Sequence, residues 1–370
     1  MGNIIHFRKC WPGGKHLQFR INLQRICIDY FAVQSFCQFN GISALAAGRR
    51  ACNTVNNFHE KLLAMPYQNS HTEGKKSLTF VLKQKDEENF KLLASFCVET
   101  PDVHMESVNI LSTDKAVEII ITDAPDNLRS RIARALIGKK LAADFCLQPT
   151  ENRKKKLLIC DMDSTLIGQE CIDELADFAG VKDHVSAITE RAMRGELDFE
   201  EALIERVRLL KGLPVQALSD CYNARITLNS GAKTLAATMK ANGAKTVIVS
   251  GGFTYFTERI AKTASFDVHQ ANTLHDDGKN LLGTVGMPIL GRDAKKQALE
   301  KHSRSCGGPT SALAIGDGAN DLAMITASGL GIAYRAKPLI ADAAHCSVNH
   351  TDLTTALYFQ GYKESEFTGP

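Results

Sequence analysis

Hydrophobic and polar positions change rhythm twice along the 370-residue chain. Residues 1–64 keep neither a 3.6-residue nor a 2-residue period, so this extension is expected to bury no face and to stay poorly structured. From Ser77 the rhythm sharpens. Leu78–Leu82 reads as a strand, and Asp86–Phe96 as a helix with Phe90, Leu93 and Phe96 on one side. Val108–Leu111 and Ala116–Ile121 read as two further strands, Asp126–Leu136 as a second helix and Ala142–Leu147 as a closing strand. The order βαββαβ within residues 75–150 predicts a small ferredoxin-like α+β unit.

A polar, basic linker, Glu151–Lys156, precedes the second change. Leu157–Cys160, Thr246–Val249 and Ala312–Ile315 are continuous apolar runs, as expected of parallel strands buried on both faces. Helical patterns lie between them, which predicts a doubly wound α/β domain over residues 154–362. About 85 residues separate Asp163 from Ser250, room for a helical cap at about 175–228. Within it, Asp198-Phe199-Glu200-Glu201 reads as a capping box opening a helix that Gly212 and Pro214 stop. The first unit resembles an ACT-type regulatory domain in element order alone. Its first strand-to-helix turn, Lys83–Asp86, lacks the glycine of ligand-binding members, so packing or a homodimer through this unit competes with effector binding.

Composition narrows the setting. A 44% hydrophobic, 23% charged chain is ordinary for a globular protein. The most apolar early stretch, Ile26–Ala47, is broken by Asp29, Gln34, Gln38 and Asn40, so neither a membrane span nor a secretory signal is expected. Eleven cysteines stand singly with no CxxC, which favours reduced thiols and a cytoplasmic setting. The net charge of +3 is concentrated in residues 1–64, where eight Lys/Arg face only Asp29 and Glu60. The remainder is mildly acidic, without the broad basic field that nucleic acid requires.

In doubly wound sheets chemistry sits at the carboxyl ends of strands. The three apolar runs are followed by Asp161-Met162-Asp163-Ser164-Thr165, by Ser250-Gly251-Gly252 and by Gly316-Asp317-Gly318-Ala319-Asn320-Asp321. Lys295 opens a helix just after Asp293, read as its N-cap. Singly, a DxD is usually a solvated turn and an SGG or GDG a tight connection; it is their order, each behind a buried strand, that carries meaning. Phosphoryl transfer fits the set. Asp161, Asp317 and the Asp163 carbonyl offer hard oxygens to Mg²⁺. Ser250, the Gly251 amide and Lys295 can hold phosphate oxygens. Asp161 would attack phosphorus to give an aspartyl-phosphate, and Asp163 would protonate the leaving oxygen.

These four motifs resemble those of the haloacid dehalogenase superfamily and, within it, of the phosphoserine-hydrolysing phosphatases. The resemblance covers about residues 154–362. It implies Mg²⁺-dependent hydrolysis of O-phospho-L-serine, the last step of serine biosynthesis. By motif position Asp161 is the nucleophile, Asp163 the acid/base, and Asp161, Asp163 and Asp317 the metal ligands. Ser250, Gly251, Lys295 and Asn320 match substrate-contacting positions, and Asp321 matches the anchor of the lysine. It also gives Arg206 the substrate carboxylate, Glu170 its ammonium and Phe199 the closing of the crevice. On the residues alone, Arg206 would more readily pair within its helix and Phe199 serve as core. A phosphatase for another small amine-bearing phosphoester is the alternative within the same chemistry. Leu274–Lys279 reads as a structural hairpin turn, His269, His275, His345 and His350 lack metal-ligand spacing, and Cys160 and Cys171 read as buried small hydrophobes.

Overall fold

The computed structural model describes residues 74–97, 100, 102–193 and 196–369; the extension expected over 1–64 lies outside them. The first unit runs β1 (Lys76–Leu82), α1 (Glu87–Ala94), β2 (His104–Ser112), β3 (Ala116–Asp123), α2 (Leu128–Gly138) and β4 (Ala143–Pro149). Its sheet has the order β2-β3-β1-β4, with every pair antiparallel. Asp86 caps α1 by accepting from the Asn89 amide at 2.9 Å, so the helix begins one residue later than its pattern suggests.

β1 is buried on both faces. Leu78, Phe80 and Leu82 pack with Phe90, Leu93, Leu128 and Ile132 of the two helices. Val81, on the other face, joins Cys146, Cys346, Val348 and Tyr358 in the large core of the second unit. Polar groups fasten the same junction. Buried Asp144 accepts from the amides of Asn349 (2.9 Å), His350 and Thr351 (2.8 Å) and from the Thr351 hydroxyl (2.6 Å). Glu118, also buried, pairs with Arg153 and accepts from Ser77 at 3.0 Å. Gly361 (φ +80°) lets the guanidinium pass, since a Cβ there would lie 2.8 Å from Arg153 Nη2.

The second unit begins with β5 (Leu157–Cys160), followed by α3 (Cys171–Phe178), α4 (Lys182–Met193), α5 (Phe199–Leu209), α6 (Gln216–Arg225) and α7 (Ala232–Ala241). Then come β6 (Lys245–Phe253), α8 (Thr254–Ala264), β7 (Val268–Asn272), β8 (Leu274–Asp276), β9 (Leu281–Val285) and α9 (Arg292–Ser303). It closes with β10 (Ala312–Gly316), α10 (Leu322–Ala327), β11 (Leu330–Tyr334), α11 (Pro338–Ala343), β12 (Cys346–Val348) and α12 (Thr355–Phe359). The parallel sheet has the order β12-β11-β10-β5-β6-β7. The chain starts at β5 and builds outward in both directions, so the switch point, where such sheets bind ligands, falls at β5. The apolar runs serve two cores at once: Leu158 and Cys160 face one layer, Leu157 and Ile159 the other.

Two local expectations change. Ser250-Gly251-Gly252 does not follow β6 but forms its last part, where the pairing with β7 is irregular between Val249 and Phe253. Asp293 is not an N-cap: α9 is capped at Gly291, and Asp293 sits in the first turn, where its charge suits the helix dipole. The capping box of α5 is present, with Asp198 accepting from the Glu201 amide at 2.8 Å and Glu201 reaching back to the Asp198 amide. The β8–β9 hairpin lies against the end of α5: Gly212 N donates to Leu281 O and Leu281 N to Leu213 O, each at 2.8 Å. No helix of the described residues is long and apolar enough to cross a membrane.

Candidate active site

The carboxyl ends of β5 and β10 bring acidic residues together because both strands are completely buried and their first free residues are Asp161 and Asp317. One carboxylate oxygen from each of Asp161, Asp317 and Asp321 lies within 4.8 Å of the others. Lys295, entering from the first turn of α9, donates to Asp161 Oδ2 at 2.7 Å and to Asp321 Oδ1 at 2.6 Å. All three residues of this clamp are buried. Burial alone would discharge the lysine, yet Asp161 and Asp321 hold its proton more tightly than usual. Burial and then Asp321 push the Asp161 carboxyl well up, against the pull of Lys295. Asp317 is pushed up to about 6, by burial first and Asp321 next, while it accepts from the Thr165 hydroxyl at 2.8 Å. Three carboxylates against one ammonium leave the cluster short of positive charge, and an all-oxygen donor set of this kind fits a hard divalent cation.

Asp163 stands apart from that cluster. Its Oδ1 accepts from the Cys171 amide at the start of α3 (2.9 Å) and its Oδ2 from the Ser250 hydroxyl (3.1 Å). Burial raises its pKa, and these donors oppose the rise. Gly252 is what permits the approach, since a Cβ there would meet Asp163 Oδ2 at 2.5 Å. Asn272, buried at the end of β7, accepts from the Leu290 amide (2.6 Å) and donates to Gly251 O (2.8 Å), tying the glycine-rich strand end to the segment before α9.

The cap residues face the same crevice. Phe199, first residue of α5, lies over the glycines: a Cβ on Gly251 would meet its Cζ at 2.9 Å, and one on Gly291 its Cδ1 at 3.4 Å. Arg206 donates from Nε to Ala202 O at 3.2 Å, and among the described residues no carboxylate lies within 4.0 Å of it. Its helix neighbour Glu205 is engaged by Arg191 instead. Asp173 and Glu170 act on Arg206 at longer range. Glu170 accepts from the Ser164 hydroxyl at 2.6 Å. Its side chain opens to the crevice mouth, yet the protein around it pushes its pKa up to about 7, by burial first and Asp163 next.

The residues singled out by sequence thus gather at one strand-end crevice, with Asn320 in the β10 loop beside them, where Asn320 Oδ1 would lie 2.3 Å from a Cβ on Gly318. Sequence reasoning missed Thr165, Ser164 and Asn272. Thr165 and Ser164 carried a signal, being hydroxyls directly after the DxD; Asn272 carried none. Cys160 and Cys171 are buried thiols whose pKa burial drives up, in keeping with packing. His345, also shielded, accepts from the Gly331 amide at 3.0 Å.

Comparison with known proteins follows the same line. The model of the haloacid dehalogenase-like hydrolases matches residues 158–326. A phosphoserine phosphatase of Archaeoglobus fulgidus is 44% identical over 247 residues, 66% of this chain and 71% of that protein. Among solved structures, a probable phosphoserine phosphatase from Vibrio cholerae, unliganded, is similar with a TM-score of 0.63 at 33% identity, covering 77% of this chain and 86% of the other. A phosphoserine phosphatase solved as an analogue of the phospho-aspartyl intermediate gives a TM-score of 0.51 at 40% identity, covering 55% of this chain and 98% of the other.

Proposed function

The chain belongs to the haloacid dehalogenase-like hydrolases, in their phosphoserine phosphatase family, and from that premise we propose that it hydrolyses O-phospho-L-serine to L-serine and phosphate. The observation that carries the reading is the division of labour between two carboxylates two residues apart. Asp161 belongs to the Lys295-clamped acidic cluster, whereas Asp163 is held away from it by Cys171 and Ser250. On this reading the first attacks and the second moves protons.

Asp161 attacks phosphorus as the bond to the serine oxygen breaks, and Asp163 gives its proton to that oxygen. Burial raises the Asp163 pKa against the donors that hold it, a direction that favours its part in proton transfer. In the second half Asp163 takes a proton from the water that attacks the aspartyl-phosphate, and Asp161 is regenerated as phosphate leaves. Ser250, the Gly251 amide, Lys295 and Asn320 hold the remaining phosphate oxygens, while Asp321 keeps Lys295 in place. Asp161, Asp317 and the carbonyl of Asp163 would hold Mg²⁺, which when bound supplies positive charge against the phosphate. Arg206, with no ion pair among the described residues, takes the substrate carboxylate, Glu170 takes the ammonium, and Phe199 closes over both. In a reducing cytoplasm this would be the last step of serine biosynthesis. The first unit serves packing or self-association on its ACT-like reading, and a homodimer through it is what sedimentation would register.

Phosphate release from O-phosphoserine, O-phosphothreonine, phosphoethanolamine and sugar phosphates, with and without Mg²⁺, tests the proposal. The expected pattern is Mg²⁺-dependent preference for phosphoserine, lost by at least about 10³-fold in Asp161→Asn. Preference for another ester, or turnover in Asp161→Asn within about tenfold of the parent, would overturn it.

A further inference from the structure

Glu170 occupies the N-cap position of α3, where a carboxylate ordinarily turns back to accept from the helix's own free amides. It does not do so: its side chain makes no cap hydrogen bond. The first amide of that helix, Cys171 N, is given to Asp163 instead, and the Glu170 carboxylate is drawn to Ser164, whose hydroxyl donates to Oε1 at 2.6 Å. Among the described residues Glu170 has no Lys, Arg or His within 4.0 Å; Asp163, Asp317 and Asp173 press on it as like charges, and Arg206 acts on it only at longer range. A carboxylate with one hydroxyl as its close partner and no cation in contact is short of positive charge and suits a substrate ammonium.

Ser164 is built for this holding role. Its φ of 54° places a serine in the left-handed region, which residues with a Cβ occupy at a cost. Its amide also donates to Gln169 O at 3.2 Å, so the segment from Ser164 to Glu170 closes on itself. Two consecutive residues, Asp163 and Ser164, therefore grip two others, Cys171 and Glu170, one pair nested inside the other. The backbone turn orients the acid/base group and the carboxylate at the mouth together.

We propose that Ser164 is a positioning residue that makes the site selective for amine-bearing phosphoesters, by holding Glu170 off its helix N-terminus and toward the substrate ammonium. This rests on the reading of Glu170 as the ammonium partner. Without the hydroxyl, Glu170 is free to swing away from the crevice toward the start of α3, and the ammonium loses its counter-charge.

The test measures kcat and KM for O-phosphoserine and for 3-(phosphonooxy)propanoate, the same ester without its amine, in the parent, Ser164→Ala, Ser164→Gly, Glu170→Gln and the Ser164→Ala/Glu170→Gln double variant. Glycine is at ease in the left-handed backbone, so Ser164→Gly removes the hydroxyl even if alanine disturbs the loop. The ratio of kcat/KM between the two substrates is expected to fall about tenfold in both Ser164 variants, chiefly through KM for phosphoserine, as suits loss of one hydrogen bond to a charged group. In the Glu170→Gln background, Ser164→Ala is expected to change the ratio by less than about twofold, because the shared partner is gone. An unchanged ratio in both Ser164 variants beside a lowered one in Glu170→Gln overturns the role of Ser164 alone. Equal losses for both substrates in the Ser164 variants overturn it too, assigning the hydroxyl to loop structure. An unchanged ratio in Glu170→Gln removes the ammonium reading and this inference with it.

Discussion

Gly252→Ala would place one methyl group where the Asp163 carboxylate, proposed to carry the proton, now stands. The added Cβ would lie 2.5 Å from Asp163 Oδ2, 3.1 Å from Ser250 Oγ and 3.4 Å from Met162 Cε. Carbon and oxygen not bonded to each other settle at about 3.3 Å or more, so the carboxylate has to retreat by about 0.8 Å. It has little room, because its other oxygen is tied to Cys171 N at 2.9 Å and Met162 is fully buried beside it. The bond from Ser250 to Oδ2 is the one that gives way. Gly252 is absent from the positive-φ residues, so alanine meets no backbone obstacle and the effect is one of space. Misplacing a reacting group by about 1 Å costs roughly 10²-fold in rate, and overpacking costs about 1–3 kcal/mol of stability. Steady-state phosphoserine turnover is therefore expected to fall about 100-fold while the protein stays folded at 25 °C. A second readout separates the acid role from general damage. An aryl phosphate, whose leaving group needs little protonation, should still give a first-turnover burst of aryl alcohol, followed by slow release of phosphate. A kcat within about threefold of the parent, or loss of burst and turnover together in a folded protein, would refute the placing of Asp163 as the proton carrier.

Arg206→Ala should lower kcat/KM for phosphoserine by roughly 10² while affecting phosphoethanolamine, which lacks the carboxylate, much less; proportional losses on both would assign the guanidinium to stability. Mg²⁺ should raise the thermal midpoint more at about pH 8 than at about pH 5. Asp317, pushed up to about 6 by burial and Asp321, keeps at the lower pH a proton that the cation must displace and at the higher pH has lost it. Equal increments at the two pH values would place the cation elsewhere. A chain beginning at Met65 should keep its specific activity and its thermal midpoint to within about 5 °C, since every assigned residue lies beyond it; a larger drop would make the extension part of the fold.

What the sequence made legible follows from where the forces are local. β5 and β10 announce themselves because burial on both faces leaves only apolar residues, and the aspartates after them stand out by contrast. The capping box of α5 is likewise a local device, complete within four residues. Asp293 misled because an acidic residue suits a first turn as well as a cap, and Gly291 took the cap. β6 ran past its expected end because Gly251 and Gly252 let an irregular strand continue toward Phe253. The rest was set by distant partners. Nothing about Asp144 within β4 says that three amides of residues 349–351 will converge on it. Asn272 looks like any strand-ending asparagine until Gly251 and Leu290 are brought to it. Ser164 and Thr165 sit inside a recognisable motif, but which carboxylate each would serve depends on loops returning from elsewhere.

The seating of β1 on the end of the chain has a consequence for how the protein is made. Val81 rests against Tyr358, Gln148 donates to Phe359 O, and Ser112 donates to Glu364. At a synthesis rate of about 5–20 residues per second, the first sheet leaves the ribosome roughly 10–40 s before the residues that cover it, some 200 positions later. Through that interval one of its faces is unfinished, and a chain cut short by its last fifteen or so residues never finishes it. A late stop codon would therefore injure the β1 sheet as much as the last-made residues, leaving every proposed site residue in place on a protein whose first sheet a quality-control protease can grip.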